Sequence, residues 1–208
     1  IHNDTKVSIN FVNSEKLDIK NYKRALKKSD AILVPGGFGD RGIEGMVLAA
    51  KYARESKTPY FGICLGLQIA IIEMTRSLLK LKDANSTEFK KRVKNNVISL
   101  VTEWKNEDGT IEKRNHKSDK GGTMRLGAQV AFLKNGTLAK SLYKKSSIFE
   151  RHRHRYEVNP SYVPELEKHG LIVSARSEMH NLVEMIELKN HPWFCLLYTS
   201  PSPRDKTV

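Results

Sequence analysis

Gly62-Ile63-Cys64-Leu65-Gly66 is the stretch of this chain best equipped to do chemistry. The β-prone run Pro59-Tyr60-Phe61 leads into it and the apolar run from Leu67 to Met74 leads out. A strand therefore ends at Cys64 and a helix starts there, the cysteine form of the strand–nucleophile–helix elbow otherwise written G-x-S-x-G. Glycines flank the cysteine because such a turn holds the nucleophile in a strained backbone conformation that crowds out larger neighbours. N–H groups at the start of the helix face the sulfur and favour thiolate over thiol. A buried structural cysteine at a strand end is the alternative reading of the same residues.

A thiolate that attacks an amide or ester also needs an oxyanion hole, a base and a group that orients the base. A second glycine-rich loop, Pro35-Gly36-Gly37-Phe38-Gly39, follows the apolar run Ala31-Ile32-Leu33-Val34. In a doubly wound sheet both loops emerge at the carboxyl edge, where ligands bind. The backbone N–H groups of Gly37 and Leu65 can then converge on one oxygen. Alone, Pro-Gly-Gly is a plain turn; beside the elbow it becomes half of an oxyanion hole.

The elements that must position these loops follow from periodicity. Lys6 to Val12 reads as β and Tyr22 to Lys28 as a short basic helix. Ala31 to Val34 is a buried strand, Gly45 to Glu55 a helix, Pro59 to Ile63 a strand and Leu65 to Leu81 a helix. Strands alternating with helices predict an α/β fold, a three-layer, mostly parallel, doubly wound sheet with helices on both faces. After Asp83 the chain becomes β-rich. Val97 to Trp104 reads as a strand, Asn106 to Gly109 as a turn and Thr110 to Lys113 as another strand. Gly121 to Gly127 reads as a loop entering the strand Ala128 to Leu133, and Lys134 to Thr137 as a hairpin turn. Pro160 to His169 is a helix closed by Gly170, before strands at Leu171 to Ala175 and Leu182 to Leu188. No repeat or linker divides this core.

The totals set bounds. The 208 residues suffice for one sizeable core, and 39% hydrophobic with 28% charged residues is ordinary for a globular protein. No apolar run approaches the roughly 18 residues that span a bilayer, and no signal-peptide pattern opens the chain. Cys64 and Cys195 are too few for a disulfide framework, which points to a reducing, cytoplasmic setting. The net charge of +13 is scattered and lacks any nucleic-acid-binding signature, so it fits anionic small molecules better than nucleic acid. Arg151-His152-Arg153-His154-Arg155 holds an H-x-H pair, but its cationic neighbours oppose a metal site. As a strand it places the arginines on one face and the histidines on the other.

Pro-Gly-Gly-Phe-Gly, Arg41-Gly42-Ile43-Glu44-Gly45 and Gly-Ile-Cys-Leu-Gly-Leu-Gln68 together resemble the class I glutamine amidotransferases, whose fold is flavodoxin-like. Asp83 to Phe89, Lys117-Ser118-Asp119 through Gly127, Glu150 to Asn159 and Asn190-His191-Pro192-Trp193-Phe194 narrow the likeness to the CTP synthase family, closest to its bacterial form. The likeness runs from about Lys6 to Phe194. It implies Cys64 as the nucleophile that forms a thioester with glutamine, and Gly37 and Leu65 as oxyanion-hole amides. It implies glutamine contacts at Gly37, Leu65, Gly66, Leu67, Gln68, Glu88 and Arg155. Glu88 suits the substrate's α-ammonium, and the forked guanidinium of Arg155 suits its α-carboxylate. Phe38, Arg41, Gly42 and Glu44 fall in the segment associated with GTP activation.

The resemblance further implies L-glutamine as substrate and a preceding synthase domain that uses UTP, ATP and Mg. It implies a homotetramer, and no cofactor or metal within this segment. Two departures stand out. The chain opens on Ile1 and lacks that synthase domain together with the first strand and helix of the amidotransferase domain, so it reads as a fragment. The family's His-Pro-Glu triplet, which supplies base and orienting carboxylate, falls where this chain has Ser200, Pro201 and Ser202. Residues 1–194 thus read as the amidotransferase domain and 195–208 as a divergent, non-native tail; an ordinary frayed terminus and genuine loss of the triad are the alternatives. On this reading Cys64 has no histidine to activate it and the chain is inactive. A glutamine- or GTP-binding module without catalysis remains the second reading, and a γ-glutamyl hydrolase the third.

Overall fold

Short parallel strands carry both glycine-rich loops. In the computed structural model, which describes residues 4–90, 92–100, 103–105, 111–113, 125–178 and 180–197, the chain begins with an irregular stretch and helix α1 (Tyr22–Leu26). Strand β1 (Ile32–Val34), helix α2 (Ile43–Ser56), strand β2 (Tyr60–Ile63) and helix α3 (Leu65–Leu78) follow. Strands β3 (Asn85–Ser86), β4 (Asn96–Leu100), β5 (Glu103–Lys105), β6 (Ile111–Lys113) and β7 (Arg125–Leu133) lead to α4 (Leu138–Tyr143). Strands β8 (Ser147–His154) and β9 (Tyr156–Val158), helix α5 (Val163–Lys168), and strands β10 (Leu171–Ser177), β11 (Val183–Leu188) and β12 (Phe194–Leu197) complete the order.

The main sheet runs β1-β2-β12-β11-β10-β7-β8, with β3-β4-β9 and β5-β6 as small satellites. Within the main sheet β1, β2 and β12 pair in parallel and every neighbour from β12 to β8 is antiparallel, so the sheet is mixed rather than mostly parallel. The β-rich second half supplies that antiparallel part. In register, Val34 lies opposite Gly62 and Leu197 opposite Ile63. All three parallel strands therefore deliver the chain to the edge where Cys64 sits.

Helix α3 is buried from Leu65 to Thr75, touching α2, α5, the sheet, β4 and β9. An all-round buried helix must answer for any charge it carries. Glu73, 1% exposed, does so by accepting both Nε and Nη2 of Arg54 at 2.8 Å. The main apolar core lies beneath α2, α3 and α5. A second cluster of Ala131, Leu133, Ala139, Ile148, Ala175 and Met185 sits under α4 on the opposite face, since Met185 and its neighbour Ile186 point to different clusters. Glu187 fixes α4 there, accepting the N–H groups of Leu138 and Ala139 at 2.9 and 2.8 Å.

Several elements differ from expectation. The stretch Lys6 to Val12 pairs with no strand among the described residues and is irregular, with Phe11 91% exposed. Arg125 to Gly127 belong to β7, where Arg125 pairs opposite His154. Lys134 to Thr137 do not close a hairpin; Thr137 caps α4, inserted between the paired strands β7 and β8. Helix cover is also one-sided over the parallel strands. Helices α2 and α3 pack against each other and both against β1 and β2, which puts them on one face. Leu33, on the other, is 59% exposed. The expected turn at 106–109 and loop at 121–124 lie outside the described residues.

Packing at Gly66 has a measurable consequence. A Cβ there would stand 2.3 Å from the Val34 carbonyl oxygen, a backbone atom. Gly66→Ala is expected to destabilise the fold by roughly 3 kcal/mol, at the upper end of overpacking penalties. Gly136→Ala, where φ is +76° and space is open, is expected to cost about 1 kcal/mol from backbone strain alone. Urea denaturation of the two variants checks this order; equal midpoints would refute it.

Candidate active site

Cys64 has φ 53° and ψ −101°, outside the regions that L-residues favour. Strain of this kind costs on the order of 1–3 kcal/mol and persists only where its surroundings over-determine it. Here they do. The Cys64 carbonyl accepts the N–H of Leu67 at 3.1 Å as the helix starts, and the Tyr60 hydroxyl holds the Gly66 carbonyl at 3.1 Å. Gly66 in turn packs on the Val34 backbone, and a Cβ on Gly36 would lie 3.4 Å from that of Cys64. The two glycine-rich loops are thereby locked against each other.

The backbone amides of Leu65 and Gly37, the two expected oxyanion donors, both stand near enough to the Cys64 sulfur to favour its thiolate. Burial pushes the thiol up to about 11, the Leu65 and Gly37 amides pull it down, and the Glu157 and Glu88 carboxylates add to the rise. The resting sulfur is therefore a protonated thiol. Glu88 is half-buried and accepts the Gly39 N–H at 3.3 Å. Burial raises its carboxyl above the usual range, while the Gly39 amide and the Arg155 guanidinium act the other way. Gln68, in the first turn of α3, donates Nε2 to the Tyr156 carbonyl at 3.3 Å. Cys64, Gly37, Leu65, Gln68, Glu88 and Arg155 thus gather at one end of the sheet. The Leu67 side chain points into the core instead, fully buried, and Gly66 is occupied by packing.

The residues expected to face GTP lie along the loop into α2. Phe38 is 72% exposed. Arg41 makes a forked pair with Glu15 (3.1 and 2.9 Å), and Glu44 one with Arg76 (2.7 and 3.1 Å). Gly42 caps α2 in the left-handed region at φ 69°. Gly42 and Glu44 line a shallow cavity of about 400 Å³ with Asp40, Asn85 and Phe89.

The expectation that Cys64 has no histidine beside it does not hold. His154 Nε2 lies 3.1 Å from Cys64 Sγ, although the two residues are 90 positions apart. Alternation along β8 buries His152 and His154 and exposes Arg151 and Arg153, and the buried face meets the elbow. His152 Nδ1 lies 3.1 Å from His154 Nδ1, and His152 Nε2 3.4 Å from Glu184 Oε2. Burial drives His152 down to about 3, with Arg125 adding to the shift. Burial, then His152 and Arg125, drives His154 down to about 2. Both rings are neutral. Among the described residues no group of three or more His, Cys, Asp or Glu is placed to hold a metal ion. His191 plays no part here; its Nε2 bonds the Ala53 carbonyl at 2.9 Å. Positions 200–202 lie outside the described residues.

Arg125 organises the carboxylates behind this row. Its Nη1 donates to Glu157 Oε1 at 2.9 Å, its Nη2 to Glu184 Oε1 and its Nε to Gln129 at 2.9 Å. One cation cannot neutralise two buried carboxylates, and burial pushes Glu157 up to about 7 against the pull of Arg125, with Glu184 adding to the rise. A raised carboxyl binds its proton more tightly folded than unfolded, so its stabilising contribution is present below pH 4.5 and fades as pH climbs through 7. Glu157→Gln is accordingly expected to gain in melting temperature relative to the parent as pH rises from 4.5 to 8. A difference that stays flat or shrinks over that range would refute the assignment.

The glutamine amidotransferase class-I family model matches residues 2–196. The structure is similar to that of the Trypanosoma brucei CTPS glutaminase domain with bound acivicin, at 34% identity and a TM-score of 0.82, covering 98% of this chain and 78% of that one. A Thermoplasma acidophilum protein proposed to be a component of GMP synthase is more distant: 16% identity, TM-score 0.49, 84% of this chain and 64% of that one. With a family match that spans almost its whole length, this chain belongs to the class I glutamine amidotransferases.

Proposed function

We propose that this chain is the glutaminase portion of a CTP synthase of the cytoplasm, binding L-glutamine and supplying ammonia for the ATP-dependent amination of UTP. The observation that carries the reading is the positive-φ elbow at Cys64 packed against the Gly36-Gly37 loop, with the Gly37 and Leu65 amides acting on its sulfur and Glu88 and Arg155 near at hand. The Cys64 sulfur attacks the glutamine side-chain amide carbon, and the two amides receive the oxyanion. Ammonia departs as a thioester forms, and water then releases glutamate. Arg155 takes the substrate α-carboxylate and Glu88 its α-ammonium, while Gln68 and the backbone of Gly66 and Leu67 frame the side chain. GTP activation falls to Phe38, Arg41, Gly42 and Glu44. Mg, ATP and UTP belong to the synthase domain and to a homotetramer.

The same reading sets a low turnover for the chain as written, because Ser200 and Ser202 stand where the family has its base and orienting carboxylate. Serine neither accepts a proton at neutral pH nor fixes a tautomer. Those two serines also favour the second reading, a glutamine- or GTP-binding module without catalysis.

Calorimetry with L-glutamine tests the substrate. Arg155→Met is expected to weaken binding roughly 10–100-fold, the 1.5–3 kcal/mol of a charge-assisted contact, while Cys64→Ala retains it. Undiminished binding by Arg155→Met would remove that residue from the site. Ammonia release separates the two readings. Ser200→His combined with Ser202→Glu is expected to raise glutaminase turnover by at least about 100-fold, the lower range of general acid–base catalysis. Glutamine binding with no gain in turnover would favour the binding module.

A further inference from the structure

The row from Cys64 to Glu184 is wired in one direction. If the thiol donates to His154 Nε2, that ring carries its proton on Nδ1 and donates to His152 Nδ1, 3.1 Å away. His152 must then carry its proton on Nε2, which faces Glu184 Oε2 at 3.4 Å. Neither of those last two atoms has a hydrogen-bond partner among the described residues, and both are buried. Every ring nitrogen in the row thus has one role, and the row ends on a carboxylate anchored by Arg125.

We infer that His154 is a second proton acceptor for Cys64 and that His152 and Glu184 form a buried relay behind it. The thiol proton moves from Sγ to His154 Nε2 as the Nδ1 proton of His154 passes to His152 Nδ1. The Nε2 proton of His152 passes in turn to Glu184 Oε2. The products are a thiolate, two neutral imidazoles in the opposite tautomers and a protonated Glu184. Charge is conserved: one negative charge leaves Glu184 and appears on sulfur, where the Gly37 and Leu65 N–H groups receive it. No imidazolium has to form, which suits two rings that burial keeps neutral. Glu184 suits the end of the row because burial raises its carboxyl, although Arg125 opposes the rise. His154, which touches the reacting sulfur, is the catalytic member; His152 and Glu184 are positioning residues that act through it.

The relay deepens the proposed glutaminase reading, and it is tested on the thiol so that its failure leaves glutamine binding untouched. The probe is iodoacetamide on the full 208-residue chain, with Cys195 as internal reference thiol. His154→Gln, similar in bulk but unable to titrate, is expected to slow Cys64 alkylation about tenfold relative to Cys195. Glu184→Gln is expected to slow it severalfold. Unchanged or faster Cys64 alkylation in His154→Gln would overturn the inference. Nitrogen-15 imidazole spectra of the unmutated chain provide a test that no folding defect can obscure. The expected ground state at neutral pH is an Nδ1–H tautomer for His154 and Nε2–H for His152. An Nε2–H tautomer at His154, or a charged ring at either position, would overturn it.

Discussion

The positive-φ backbone at Cys64 is the constraint around which the rest is built. It can exist only because neighbours on three sides leave no alternative: the Val34 backbone beneath Gly66, the Tyr60 hydroxyl on the Gly66 carbonyl, and the Gly36 backbone against the Cys64 Cβ. Those contacts require β1 and β2 to pair in parallel and in register, and that pairing requires α2 and α3 to cover them from one side. A substitution that relaxed the elbow would also release the loop carrying Gly37. Strain at Cys64 and stability of the sheet are therefore the same property, measured at different places.

Burial governs the electrostatics of the site. Enclosing the sulfur raises the thiol and keeps both histidines neutral, effects that oppose a thiolate–imidazolium pair. The fold answers with directed N–H groups rather than a nearby positive charge. The one buried cation near the row among the described residues, Arg125, is engaged by Glu157 and Glu184 and acts on sulfur only through them. A site built this way holds its Cys64 thiol protonated at rest.

Local chemistry was legible in the sequence wherever it depended on a few consecutive residues. Glycines around Cys64, the run into Pro35-Gly36-Gly37 and the helical period after Leu65 announced the elbow, the facing loop and α3, because each is a statement about backbone angles and short-range packing. The alternation in Arg151 to Arg155 announced which side chains share a face. Errors arose where a local pattern depended on a distant partner. Lys6 to Val12 has strand-like residues but no neighbouring strand among the described residues, and the Asn135-Gly136 turn leads into a helix rather than a hairpin.

What the sequence determined by itself was the strand–cysteine–helix elbow at Cys64, the glycine loop that faces it and the family to which the chain belongs. Only the tertiary structure decided that His154 stands against Cys64 and that Glu184, rather than a nearby residue in sequence, closes the row behind it. The reason is physical. A strand's alternation fixes which residues share a face, but not what that face meets. The partner is set by the antiparallel register of β7 with β8 and of β10 with β11, which brings Arg125, His152, His154 and Glu184 to one place. Register is chosen by the burial of whole faces across the sheet, and no short window of sequence contains that choice.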